Sequence, residues 1–334
     1  MKLYRYLLLS TLFCLAFINF TFAQGANLDS LYKALAKSNA DTNKVNTTIR
    51  ICKELLLKGE LDTALTYLAS AKELSQTLNF NRGLGNVLTM TGRVYQKKND
   101  LELALEYFTK AYKVREKAGN NSDMCGSLNE MGNIYKRMKK FDKALECYQK
   151  SLKLSKTETD KRIEANALMN IGSVYYNQGQ YPEALNYYFE ALKNYEKAGE
   201  LANAGRLLMN VGIIYEIQLD YDKALDYYKR SFTIKEKTND IDGMAATLSC
   251  LANAYYGKKD YDNSLIYNLK ALEMAKKTKD EIMSANLLNN IGNIYAAKGD
   301  IEKALEHFYK SLNMRQAIND QTGIACLLYT SRCV

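Results

Sequence analysis

Several absences narrow the chemistry open to this chain of 334 residues. It has a single proline, Pro182, and no tryptophan. Long unbroken helices are therefore open to it, while proline-rich linkers and collagen-like fibres are excluded. Its one histidine is His307. No H-E-x-x-H pair and no cluster of His, Cys and Asp at ligand spacing occurs, so the sequence offers no metal site. The glycine-rich loops G-x-x-x-x-G-K-[ST] and G-x-G-x-x-G are missing too, and no cofactor is expected. Seven cysteines are present but no C-x-x-C pair. Scattered thiols of this kind leave stability to packing rather than to a disulfide framework. The formal charge is +9, and removing Lys2, Arg5 and Arg332 leaves +6. The remaining bases alternate with acids, as in Lys110-Ala-Tyr-Lys-Val-Arg-Glu-Lys117. That pattern describes a solvated helix face rather than a basic stripe, so no nucleic acid partner is expected.

What the chain has instead is repetition. Residues 288–312 read as two helices around a turn. Leu288, Ile291, Gly292 and Tyr295 share one face of the first at helical spacing. Lys298-Gly299-Asp300 breaks the pattern, and Ile301, Ala304, Leu305, Phe308 and Leu312 make the stripe of the second. Neither helix buries its face alone. The sequence supplies a neighbour every 40 residues: Tyr295 steps back to Tyr255, Tyr215, Tyr175, Tyr135, Tyr95 and Leu55. Gly292 steps to Ala252, Gly212, Gly172, Gly132, Gly92 and Cys52, and Ala304 to Ser264, Ala224, Ala184, Ala144, Ala104 and Ala64. Leu305 meets leucine at every step down to Leu65, with no insertion anywhere.

The spacing within a unit resembles the tetratricopeptide repeat, with its G..Y...A...F signature. The unit here is 40 residues rather than the usual 34 or so, and the closing proline is absent. This long form, with L-N-N-I-G-N-I-Y in its first helix, looks like the repeats of Leu-Gly-Asn proteins and kinesin light chains. The resemblance covers about residues 42–325. It implies an all-α fold, a right-handed α-solenoid or superhelix of helix-turn-helix repeats, acting as a non-enzymatic scaffold for a protein or an extended peptide.

Residues 1–23 read as a secretory signal peptide. Lys2 and Arg5 precede an apolar stretch over 7–22, and Thr21-Phe22-Ala23 places cleavage after Ala23, giving a periplasmic or secreted protein. The stretch is short of the roughly 20 residues of a membrane span, and an uncleaved anchor is the alternative. Residues 24–41 form a linker and an N-terminal capping helix with Leu28, Leu31 and Leu35 in its stripe. Asp41 or Thr42 caps the next helix. Residues 42–325 hold about seven repeats, the first degenerate and the last cut short. Asp100, Asp220, Asp260 and Asp300 cap second helices, and Gly119 and Gly199 take left-handed C-caps. Residues 326–334 read like the translation of a transposon end joined to its reverse complement, a non-native tail. Native sequence is then expected to end near Ala325 with the gene continuing into either more repeats and a polar cap or, on the sensor alternative below, a membrane span; the solenoid itself is expected to make no membrane contact.

By the resemblance, the ligand groove is lined by first-helix residues facing away from the second helix. The register carries this onto Asn129, Asn133, Met169, Asn170, Met209, Asn210, Asn253, Asn289, Asn290 and Asn293, with Arg93, Glu130, Ser173, Ile213 and Cys250 in the same rows. An asparagine amide both donates and accepts, so a ladder of them grips a peptide backbone whatever its sequence. An equal reading has these amides bonding neighbouring helices. The Lys and Arg clamp of chaperone-binding arrays is absent from the central repeats. His307 replaces a tyrosine of earlier copies and reads as structural, and Cys52 and Cys125 read as small core residues. The alternative function is the extracytoplasmic sensor region of a truncated membrane histidine kinase or transcriptional regulator. Asp29-Ser30-Leu31 opens the array as in the N-terminal parts of such kinases.

Overall fold

The computed structural model describes residues 28–331, with side chains to 327. The signal peptide expected at 1–23 lies outside the described residues. Sixteen helices and no strand occur among them, forming an all-α solenoid. The chain divides after Thr159 into two compact units. The first holds α1 (28–37), α2 (Thr42–Lys58), α3 (Leu61–Thr77), α4 (Asn81–Lys97), α5 (Leu101–Lys117), α6 (Asn121–Arg137) and α7 (Phe141–Ser155). The second holds α8 (Lys161–Asn177), α9 (Tyr181–Lys197), α10 (Leu201–Ile217), α11 (Tyr221–Lys237), α12 (Ile241–Gly257), α13 (Tyr261–Thr278), α14 (Glu281–Ala297), α15 (Ile301–Ala317) and α16 (Gln321–Ser331).

First and second helices are equally long, 17 residues in most repeats. The turns between them are equally regular. A left-handed residue recurs every 20 positions, at Gly59, Asn79, Asn99, Gly119 and Lys139, and again from Gly179 to Asn319. Gly119 and Gly199 take the expected conformation, with φ of +66° and +69°. The series skips position 159, where α7 has already ended at Ser155. Asp41 accepts from the backbone N–H groups of Asn43 and Lys44, and Asp100, Asp220, Asp260 and Asp300 each accept from the residue three positions on. Each such cap satisfies an otherwise orphaned donor and contributes about 1 kcal/mol.

Helices of one repeat lock together through three side-chain columns. Tyr215 stacks on Tyr227 with ring centroids 5.4 Å apart and planes 5° from parallel. The pairs Tyr95–Tyr107, Tyr175–Tyr187 and Tyr255–Tyr267 do the same. His307 takes the tyrosine place opposite Tyr295 at 5.3 Å, tilted to 32°. Its Nδ1 lies 2.8 Å from the carbonyl of Lys303. In the second column an aromatic ring lies against a glycine of the first helix. A Cβ on Gly212 would sit 2.5 Å from Tyr228 Cε1, and one on Gly132 would sit 2.4 Å from Tyr148 Cε1. The third column is the alanine series, with Ala104, Ala144, Ala184, Ala224 and Ala304 fully buried.

Neighbouring repeats join through a column of buried polar residues that periodicity does not reveal. Arg115, 7% exposed, reaches Ser127 Oγ at 2.6 Å and Asn86 Oδ1 at 2.9 Å. In the same register of the second unit, Lys235 donates to Thr247 Oγ1 of the next repeat at 2.9 Å, while Tyr195 donates within its own repeat to Asn166 Oδ1 at 2.6 Å. Ion pairs such as Lys98–Asp62 at 2.7 Å link repeats at the exposed surface, where each contributes at most about 1 kcal/mol. The stripe expected for α15 differs from the structure. Ile301 and Leu305 are 44% and 40% exposed, whereas Ala304, Phe308 and Ser311 are buried. Leu225, in the Leu305 register, is 6% exposed, while Leu105, Leu185 and Leu265 are half-buried.

At the start of the described chain, Leu28 and Leu31 of α1 join the cluster built on Val45, Ile51 and Leu55. Cys52 and Cys125 are buried free thiols, and the Cys125 thiol points to the carbonyl of Ser151.

Candidate functional site

All ten candidate residues lie on first helices, and none is fully buried. Their hydrogen bonding separates them sharply. In the first unit the row is closed by the protein's own side chains. Tyr148 donates to Asn133 Oδ1 at 2.7 Å. Arg93 and Glu130 pair at 2.6 Å across the row. Asn129 keeps its Oδ1 buried without a partner.

In the second unit the two methionines are engaged. Tyr195 donates toward Met169 Sδ at 3.7 Å, and Lys235 Nζ lies 3.4 Å from Met209 Sδ. The side-chain amides of Asn170, Asn210, Asn253, Asn290 and Asn293 make no hydrogen bond to any described residue. Asn289 does make a contact, so the free amides are these five.

Three hollows follow this row. The first, about 180 Å³, is lined by Ser173, Tyr176, Tyr188, Asn210 and Ile213. Ile213 is also a wall of the second, about 500 Å³, whose other walls include Glu216, Tyr228, Cys250, Asn253 and Tyr256. Asn253 and Tyr256 continue into the third, about 180 Å³, with Asn268, Asn290 and Asn293. Shared walls therefore make one groove along α8, α10, α12 and α14. A separate hollow of about 350 Å³ lies between α11 and α13, lined by Phe232, Tyr267 and Met274, away from the asparagine row.

The groove is electrically quiet. Its one ionisable acid, Glu216, accepts from Tyr228 at 2.6 Å, and burial holds its carboxyl above the ordinary range. Burial also pushes the Cys250 thiol up to about 11, so it is a weak nucleophile near neutral pH. Among the described residues, no group of three His, Cys, Asp or Glu side chains is placed to hold a metal ion. No helix among them is long and apolar enough to cross a membrane.

Register alone did not find Asn268. It stands in the column otherwise filled by Leu68, Phe108, Tyr148, Tyr188, Tyr228 and Phe308. The signal was available as the single polar residue in that column.

The tetratricopeptide repeat profile matches residues 54–117, 123–197, 163–237 and 243–317. The chain belongs to the tetratricopeptide repeat family. No curated protein matches this tetratricopeptide repeat chain. Solved structures share its fold at low identity. BtubC (BKLC) from P. vanneervenii is 18% identical, with 66% of this chain and 92% of that one covered and a TM-score of 0.61. A Signal Transduction ATPase with Numerous Domains protein with a tetratricopeptide repeat sensor, from Pyrococcus horikoshii, is 17% identical. It covers 84% of this chain, which spans only 44% of that protein, with a TM-score of 0.67. A Rap protein complexed with competence and sporulation factor is 14% identical, with 87% and 97% covered and a TM-score of 0.56.

Proposed function

We propose that this tetratricopeptide repeat protein is a non-enzymatic scaffold that binds an extended peptide segment of a protein partner along α8, α10, α12 and α14. The observation that carries the reading is the coincidence of four unpartnered asparagine amides, those of Asn210, Asn253, Asn290 and Asn293, with three hollows that share walls, Asn170 holding the preceding place in the row. An asparagine amide bonded to a neighbouring helix is already spent. A free one facing a groove offers a donor and an acceptor to a backbone that has lost its water. The neutral lining suits an uncharged peptide backbone better than a terminal carboxylate. The Rap protein complex supports the reading by showing a related fold holding a partner factor.

The test is a random dodecapeptide library displayed on phage and selected on the full chain. Selected peptides are then titrated against a variant carrying Asn170→Ala, Asn210→Ala and Asn253→Ala. The expected result is at least a tenfold loss of affinity with an unchanged thermal midpoint. Unchanged affinity overturns the groove reading, and a collapsed thermal transition assigns these asparagines to the repeat stack instead.

Export after cleavage at Ala23 belongs to the same proposal, with the groove facing an extracytoplasmic partner. N-terminal sequencing of the mature protein from its native cell checks it, and an intact Met1 overturns it.

A further inference from the structure

One repeat departs from the others at three packed positions together. Where Gly212 faces Tyr228 and Gly172 faces Tyr188, the 241–280 repeat has Ala252 and Asn268. Where the others have alanine it has Ser264, whose hydroxyl donates to the Ala252 carbonyl at 2.8 Å. In place of the aromatic ring that every other repeat after the first holds here stands the carboxamide of Asn268. The third hollow of the groove lies against it, and the hollow against Tyr188 in the same register is of equal volume, so the replacement changes the chemistry of the lining rather than its size.

The hollow is built and polar. Asn268 is 1% exposed, and its Nδ2 donates to the Ser264 carbonyl at 3.1 Å. That bond fixes the amide's orientation and leaves Oδ1 buried without a partner. A buried acceptor left unpaired carries an uncompensated loss of hydration, which a donor entering the hollow relieves. Facing it are the free amides of Asn253, Asn290 and Asn293, with Tyr256 and Ile294 as apolar walls. A comparison within the chain shows what Asn253 lacks. Asn133 holds the same register position and accepts from the phenol of Tyr148, whereas Asn253 has no such neighbour because Asn268 replaces the tyrosine.

We infer that this hollow is a side-chain subsite for a primary carboxamide, the side chain of a glutamine in the bound peptide. The inference rests on the groove reading and names its specificity. No charged residue lines the hollow, so a carboxylate or an ammonium group would be stripped of water without a counter-ion. An aliphatic side chain would leave Asn268 Oδ1 unpaired. A carboxamide donates to that oxygen and exchanges both kinds of hydrogen bond with the surrounding amides. The volume of about 180 Å³ corresponds to roughly six water volumes of about 30 Å³, enough for the glutamine side chain.

The experiment titrates the full chain, labelled with ¹⁵N at asparagine, with N-acetylglutamine methylamide and with its glutamate and leucine counterparts. The side-chain amide signals of Asn253, Asn290 and Asn293 are the readout. Saturable shifts are expected with the glutamine compound and at least tenfold weaker ones with the other two. The variant Ala252→Gly/Asn268→Tyr copies the Gly212/Tyr228 pair, so it keeps a packing the protein already uses while removing the Asn268 acceptor, and it should abolish the response. Asn268→Leu, which copies Leu68, is the second variant without that acceptor. Equal response to glutamate or leucine overturns the subsite, and so does a glutamine response that survives in both Asn268 variants. The groove is judged separately with the phage-selected peptides. If Asn170→Ala/Asn210→Ala weakens them and the Asn268 variants do not, the subsite is overturned and the groove stands. If Asn170→Ala/Asn210→Ala leaves them unchanged, the groove reading fails, and with it the subsite's role in a bound peptide.

Discussion

Tyr228 donates its phenol to the carboxylate of Glu216 at 2.6 Å, in the most voluminous of the groove's three hollows. Burial dominates that bond and holds the Glu216 carboxyl above its ordinary value of 4.5. A raised carboxyl contributes stability that is fully present below about pH 4.5 and is lost as pH rises through the higher folded value. Glu216→Gln removes this dependence. Thermal unfolding between about pH 4 and pH 8 should show the wild type losing stability relative to the variant as pH rises. A constant difference across that range contradicts the assignment.

Two glycines should respond to alanine with opposite signs. Gly212→Ala drives a methyl into the Tyr228 ring and should cost about 1–3 kcal/mol. A Cβ on Gly126, within α6, meets nothing within 4 Å. Gly126→Ala should therefore stabilise by about 0.5–1 kcal/mol through the helix preference of alanine. Urea midpoints of the two variants, compared with wild type, check the pair.

Leu219 sits in the left-handed turn series with φ of +60° and is 70% exposed. A branched side chain there costs about 1 kcal/mol or more, while glycine occupies the same register at 59, 119, 179, 199 and 299 without strain. After the extra chain entropy of glycine, Leu219→Gly should raise stability by about 0.5 kcal/mol. Calorimetry would detect it, and a lowered melting temperature would show that Leu219 packs against something it is not seen to touch.

Lys235 is 4% exposed, and its Nζ contacts Thr247 Oγ1 at 2.9 Å and the Gly243 carbonyl at 3.1 Å rather than a carboxylate. Burial lowers its pKa from the ordinary 10.5. The unfolded chain then binds more protons between the lowered value and 10.5, so stability rises with pH across that window. Lys235→Met should remove this rise and match or exceed wild-type stability near pH 7, by about 1 kcal/mol. Denaturant titrations at neutral and alkaline pH measure both effects.

The helices and their turns were legible in the sequence because their causes are local. A 40-residue recurrence of glycine, tyrosine, alanine and leucine predicts helix pairs. Asp100, Asp220 and Asp300 cap as expected because a carboxylate beside three orphan N–H groups has little choice. The aromatic column was legible as well, and so was the replacement of a stacking tyrosine by His307.

Which asparagines are free was decided by tertiary structure. Asn133 and Asn253 hold the same register position, yet one is bonded and the other is not. The difference comes from residues 15 positions later, Tyr148 and Asn268, whose side chains reach the first helix only after the repeat has folded. The same holds for Arg115 and Lys235, buried polar residues that a hydrophobic pattern assigns to the surface. Periodicity reports which face of a helix is covered. It does not report which polar group across the interface has already been satisfied, and in this protein that satisfaction separates a closed row from an open groove.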